Sequence, residues 1–210
     1  MIYLTGVSTQ YDRPIAREKG LGVMAQPGNA LTKHLSAYPY WAVDNGCYAK
    51  GETFRLDLFY RFLCKNAPHR DSCLFAVAPD VVGNHAATVA RSLPVLPVLR
   101  AMGYPAAFVA QDGATPATVP WDAFDVLFIG GGPSGWKWGY PALALAVEAN
   151  RRGVWVHMGR VNTKSGMVAA QAMGCHSVDG TGMAWHPRIV LDRILEWTAQ
   201  AERQPALTWR

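Results

Sequence analysis

The chain of 210 residues has four cysteines, Cys47, Cys64, Cys73 and Cys175, and no two of them form a CxxC pair. No Cys/His cluster has zinc spacing. Free thiols in a reducing, cytoplasmic setting are therefore expected, rather than a disulfide framework or a structural metal. No apolar run is long enough to span a bilayer, so no membrane partner is expected. The start, Met-Ile-Tyr-Leu-Thr-Gly, lacks the basic n-region and long apolar h-region of a signal peptide. Charge blocks, low-complexity tracts and linkers are missing too, which points to one domain over residues 1–210. Charged residues make up 17% against 50% hydrophobic, a balance that excludes a disordered chain. The net charge of +5 permits a polyanionic partner without requiring one.

What is present is a repeated unit, a short apolar run ending in a polar or glycine-rich turn. The runs are Ile2 to Val7, Trp41 to Asp44, Leu74 to Asp80, Ala106 to Gln111, Val126 to Gly131, Gly153 to Gly159 and Cys175 to Asp179. Continuous apolar runs of this length suit strands buried on both faces. Helix-like stretches lie between them: Phe54 to Asn66, Ala86 to Met102 broken at Pro94 and Pro97, Ala142 to Arg152, Gly166 to Met173, and Pro187 to Glu202. Strand, helix, strand, helix predicts a parallel sheet with right-handed crossovers. The pace of the run ends fits an α/β fold of the compact (β/α)8 TIM-like barrel type. An eighth run is not evident. The runs ending at 131 and 179 follow their predecessors closely, so at least one helix is expected to be reduced.

In a parallel sheet, function gathers at the carboxyl ends of the strands. Those ends carry Asp44-Asn-Gly-Cys-Tyr48, Asp80, Gln111-Asp112, Gly130-Gly-Gly132, His157-Met-Gly-Arg-Val-Asn162 and Asp179-Gly-Thr181. Each has an ordinary structural reading. A strand-end Asp often caps the next helix. The glycine triplet lacks GxGxxG spacing and is a weak phosphate motif. Cys47 is a candidate nucleophile with no His near it in sequence, and buried inert cysteine is commoner. His157 lies mid-strand, where packing or a hydrogen bond is the default. Trp136-Lys137-Trp138 reads as a stacking surface for bases or as a loop over the barrel.

The joint pattern resembles the tRNA-guanine transglycosylase family, barrel enzymes that exchange guanine for a 7-deazaguanine base. The resemblance runs from Trp41 to Thr181. Asp44-Asn45-Gly46-Cys47-Tyr48 stands where the family has Asp-Ser-Gly-Gly-Phe/Tyr. The family's base-binding Asp falls on Asp80 and its base-binding Gln on Gln111. Its Ile-Gly-Gly turn matches Ile129-Gly130-Gly131, and its Leu-Met-Gly-Val-Gly turn is echoed by His157-Met158-Gly159-Arg160-Val161. Its nucleophilic Asp falls on Asp179. The family's cysteine-rich zinc site is absent, and Gly-Thr-Gly-Met183 replaces its arginine-bearing loop. A zinc-free chain with Gly-Arg-Val-Asn looks more like the phage and bacterial branch that inserts 7-deazaguanines into DNA.

The resemblance implies a guanine exchange in DNA, with a preQ0-like base entering through a covalent aspartyl-glycosyl intermediate. Asp179 would be the nucleophile and Asp44 the acid–base group, and the exchanged assignment stands beside it. Asp80 would accept the N1–H and N2–H of guanine, while the Gln111 amide and the Gly131 N–H would donate to O6. Gly131 would let the backbone come close, Gly130 and Gly159 would belong to the same base site, and Tyr48 and Met158 would sandwich the ring. Arg160, Asn162, Lys164, Trp136 and Lys137 would hold the flipped nucleic acid. The exchange calls for no metal or redox cofactor. The same exchange on tRNA, a non-catalytic partner subunit, an unrelated barrel hydrolase and a Cys-dependent enzyme are the alternatives, and a homo-oligomer or a partner subunit stands among the expected partners.

Overall fold

A computed structural model describes residues 1–6, 13–28, 30–132, 135–182 and 187–203. Eight strands, β1 (Ile2–Thr5), β2 (Gly22–Ala25), β3 (Trp41–Val43), β4 (Cys73–Val77), β5 (Ala106–Ala110), β6 (Val126–Ile129), β7 (Trp155–Met158) and β8 (Ser177–Gly180), close into a barrel in sequence order. Every neighbouring pair is parallel, and β8 returns to β1. The expected (β/α)8 barrel is therefore the fold. Seven strands fall within or against the runs read from sequence. The eighth is β2, a four-residue Gly-Val-Met-Ala segment hidden in the interval before Trp41. Val7, assigned to the first run, lies outside the described residues.

The helices are α1 (Arg13–Glu18), α2 (Cys47–Lys50), α3 (Leu56–Asn66), α4 (His85–Ser92), α5 (Leu96–Ala101), α6 (Tyr140–Arg151), α7 (Lys164–Ala172) and α8 (Pro187–Glu202). The break expected at Pro94 and Pro97 separates α4 from α5, with Pro97 in the first turn of α5, where its missing N–H is harmless. Asn84 and Thr163 start α4 and α7 by accepting hydrogen bonds from the backbone N–H of Ala87 and Gly166. Helices are reduced between β5 and β6, where the single 3₁₀ turn Trp121–Ala123 occurs, and between β2 and β3, where the described element is the 3₁₀ stretch Ala30–Ala37.

Side chains alternate across each strand. The inward set is a small apolar cluster that includes Leu4, Ala42, Phe75, Val77, Ala107, Val109 and Val126. The outward set, with Trp41, Phe108, Ile129, Val156, Met158 and Val178, packs against the helix layer in a larger cluster. Phe75 is fully buried inside the barrel, edge-on to Phe128 at 6.3 Å and 4.9 Å from the His157 ring. It supports the floor of the barrel mouth. Phe75→Ala is expected to cost about 3–5 kcal/mol in urea unfolding. A cost below about 1 kcal/mol would show that the interior is not close-packed.

Candidate active site

The last inward positions of several strands converge on one cavity of about 230 Å3 at the carboxyl-terminal mouth. Asp44, Asn45, Tyr48, Asp80, Gln111, Gly130, Gly159, Arg160 and Asp179 all line it, with Met24, Val77, Val109 and Phe128 as apolar walls. Seven residues assigned to catalysis or base binding from sequence are thus brought together: Asp44, Tyr48, Asp80, Gln111, Gly130, Gly159 and Asp179. The volume lies below the ~300–1,000 Å3 of sites for larger ligands, which suits one small heterocycle.

The rim is wired from strand to strand. Asn45 donates to the Ala78 carbonyl at 2.8 Å and to Asp80 Oδ1 at 3.0 Å. Gln111 Nε2 donates to Asp80 Oδ2 at 2.6 Å, and Gln111 Oε1 accepts from the N–H groups of Gly83 and Gly131. Asp80 and Gln111 are therefore a buried, pre-oriented pair with spare lone pairs and one spare amide proton. Burial raises the Asp80 carboxyl above its ordinary range, opposed by the bonds from Asn45 and Gln111.

Asp44 accepts from the Gly46 N–H at 2.9 Å. Burial first, and then the charges of Asp179 and Asp80, push its carboxyl up to about 6, while the Gly46 bond and Arg160 oppose the shift. Asp179 Oδ1 accepts from His157 Nε2 at 3.0 Å and from the Arg160 backbone N–H at 3.2 Å. Arg160 has φ 55, the one left-handed non-glycine among the described residues. That strain costs on the order of 1–3 kcal/mol. It is held because the guanidinium donates to the Gly131 carbonyl at 2.7 Å and sits 4.3 Å from the Tyr48 ring centroid. Tyr48, 64% exposed, is thereby clamped at the mouth.

Several sequence expectations are corrected. Met158 is fully buried in the outward cluster and faces the helices, because strand alternation turns it away from the mouth. Met24 and Phe128 supply the apolar contact instead. The Gly131 N–H is spent on Gln111, so it is not a free donor for a base. The Gly130 N–H is spent on the Ala110 carbonyl. Gly130 and Gly159 matter as space: a Cβ at Gly159 would lie 2.6 Å from the Phe128 ring, and one at Gly130 2.7 Å from Val109. Lys137 is not a rim cation. It is buried, and Nζ donates to the carbonyls of Gly159 at 2.9 Å and Arg160 at 3.3 Å. Burial, and then the charge of Arg160, lower its amine to about 8. Trp136 packs half-buried against the core, and the exposed ring of that turn is Trp138. Burial pushes the Cys47 thiol up to about 11, which leaves it inert as a nucleophile at neutral pH.

Arg160 also lines a second cavity of about 490 Å3 with Lys137, Trp138, Asn162, Thr163 and Ser165. Asn162 Oδ1 accepts from the Thr181 N–H at 2.9 Å, and Lys164 is exposed at the start of α7. Sequence reasoning passed over two residues of the site. His157 is fully buried under Asp179, and Asn45 donates to Asp80 Oδ1. The signal for His157 was available, because it stands two residues before the inward Gly159 and so shares its face.

At a titration near 6 against the ordinary 3.8, Asp44 holds its proton more tightly in the folded state than in the unfolded chain. Stability therefore falls as pH rises through this window. Asp44→Asn is expected to stabilise the protein near neutral pH by roughly 1–3 kcal/mol and to give no gain below pH ~4. Thermal unfolding at the two pH values checks this, and an equal gain at both would refute it.

No protein-family model matches the chain, and no curated protein matches it. Among solved structures it is similar to the Amycolatopsis orientalis BexX/CysO complex at 17% identity and TM-score 0.54, covering 99% of this chain and 93% of that one. It is similar to 3-hexulose-6-phosphate synthase from Salmonella typhimurium at 14% identity and TM-score 0.54, with 96% and 100% covered. It is also similar to a mandelate oxidase mutant with a monooxide FMN adduct, at 15% identity and TM-score 0.59, with 96% and 72% covered. At these identities the likeness is one of fold. Among the described residues, no helix is long and apolar enough to cross a membrane.

Proposed function

We propose that the protein is a guanine transglycosylase that exchanges guanine in DNA for a 7-deazaguanine base, with Asp179 as nucleophile and Asp44 as acid–base group. The observation that carries this reading is one small cavity with two unlike carboxylates, Asp44 and Asp179, beside the hydrogen-bonded Asp80–Gln111 pair. The sequence resemblance names the same residues for the same roles. Only fold-level likeness to solved enzymes supports catalysis beyond that.

The chemistry follows from the environments. A carboxylate oxygen of Asp179 attacks the anomeric carbon as the bond to guanine N9 breaks, giving a covalent glycosyl-enzyme. The departing guanine takes its proton from Asp44, whose raised titration keeps the acid partly protonated near neutral pH. The entering base returns the proton: its N9–H passes to the Asp44 carboxylate as N9 attacks the anomeric carbon and Asp179 leaves. Asp80 accepts N1–H and N2–H from the base, and the spare Gln111 amide proton faces O6. Guanine and 7-deazaguanines share that edge, so one pocket serves both. Tyr48 covers the ring under the Arg160 guanidinium. The flanking backbone of a flipped nucleotide falls to the second cavity, where Arg160, Asn162 and the exposed Trp138 stand near Lys164.

Radiolabelled guanine is offered with duplex DNA, single-stranded DNA and tRNA. Label is expected to enter DNA, and Asp179→Ala is expected to lower incorporation by ~10³-fold or more. Entry into tRNA alone would keep the chemistry and overturn the substrate. No label in any polymer would overturn the enzyme reading. For the wild type, kcat/KM is expected to fall about tenfold per pH unit above about 6, as Asp44 loses the proton it donates. A flat profile from pH ~5 to 8 would remove Asp44 from that role.

A further inference from the structure

Beneath the cavity floor lies a chain of polar side chains that the exchange chemistry above does not use. Strand register sets His157 of β7 beside Ser177 of β8, and both point into the barrel. The His157 ring is fully buried, 4.9 Å from the Phe75 centroid and 4.5 Å from that of Phe128. Nδ1 lies 2.8 Å from Ser177 Oγ, and Nε2 lies 3.0 Å from Asp179 Oδ1. Trp155 Nε1 donates to the same Ser177 Oγ at 2.9 Å.

Donor and acceptor chemistry orders this chain. An indole N–H only donates, so Ser177 Oγ accepts from Trp155. The Ser177 hydroxyl proton then has His157 Nδ1 as its acceptor. A proton on Nδ1 would leave the buried hydroxyl proton without an acceptor, at a cost comparable to a lost hydrogen bond. The imidazole therefore carries its proton on Nε2 and donates it to Asp179 Oδ1. The Arg160 N–H ends on that same oxygen. Oδ2 accepts no hydrogen bond from a described residue.

We propose that His157 is a positioning residue for Asp179, locked by Trp155 and Ser177 as the Nε2–H tautomer so that Oδ1 is held from below and Oδ2 is the oxygen that meets substrate. The inference rests on the reading of Asp179 as nucleophile. Its benefit is orientational. Two donors on one oxygen stop rotation of the carboxylate and aim the other at the reacting carbon. Phe75 and Phe128 exclude water and keep the ring from turning.

The test has a spectroscopic arm that needs no turnover. In protein labelled with 15N-histidine, His157 is expected to show a pyrrole-type Nε2 and a pyridine-type Nδ1. Ser177→Ala removes the hydroxyl donor to Nδ1 and is expected to give mixed tautomers. In the exchange assay, His157→Leu is expected to lower kcat by ~10²-fold with KM for the base within about threefold. His157→Gln restores an amide donor and is expected to recover at least about tenfold of that loss. If His157→Leu does not fold, Ser177→Ala carries the kinetic arm, with an expected severalfold fall in kcat at unchanged KM. A pyridine-type Nε2 in the wild type would overturn the proposal. So would wild-type kcat in His157→Leu, or equal losses in the Leu and Gln variants. A wild type with the Nε2–H tautomer but no exchange into any polymer would overturn the transglycosylase reading while upholding the lock.

Discussion

Closing eight parallel strands of three to five residues leaves each strand about two side chains for the interior. The lower positions go to the apolar cluster around Phe75, and the upper ones meet at the mouth. A polar residue on that upper tier has few neighbours to choose from, and those neighbours come from the adjoining strands. Asp44, Gln111 and Asp179 belong to β-strand ends far apart in sequence, yet closure puts them in one cavity. Everything distinctive about the site follows from this narrow mouth.

Three carboxylates in so small a space repel one another, and each is managed differently. Asp80 is held by two side-chain amides. Asp179 is held by an imidazole and a backbone N–H. Among the described residues Asp44 accepts from one backbone donor, Gly46, and burial with two negative neighbours lifts its titration. Unequal support leaves the three carboxyls in chemically unlike environments. Arg160 is the charge that ties the group together. Its backbone serves Asp179, and its guanidinium reaches Gly131 and Tyr48. The left-handed strain at that residue persists because contacts on three sides hold it.

Much of this is legible in the sequence. Short apolar runs ending in Asp, Gln or Gly gave the barrel and most of the mouth, since a strand buried on both faces has a recognisable composition. β2 was missed because its four residues begin with glycine and resemble a loop. Met158 was placed at the mouth because the Leu-Met-Gly-Val-Gly turn of the resemblance falls on it. Applying the two-residue alternation would have turned it outward and brought His157 in. Lys137 looked like a rim cation because its 3₁₀ turn gives no periodic face to read.

The sequence by itself determined the element order and the inventory of groups at the strand ends, because local composition dictates both. Tertiary structure alone decided which of those groups touch. The His157–Asp179 and Gln111–Asp80 bonds join residues 22 and 31 positions apart. The Gly131 N–H was claimed by a side chain 20 positions away. Such pairings depend on strand register and barrel closure, which bring distant residues together in a geometry that no local pattern encodes.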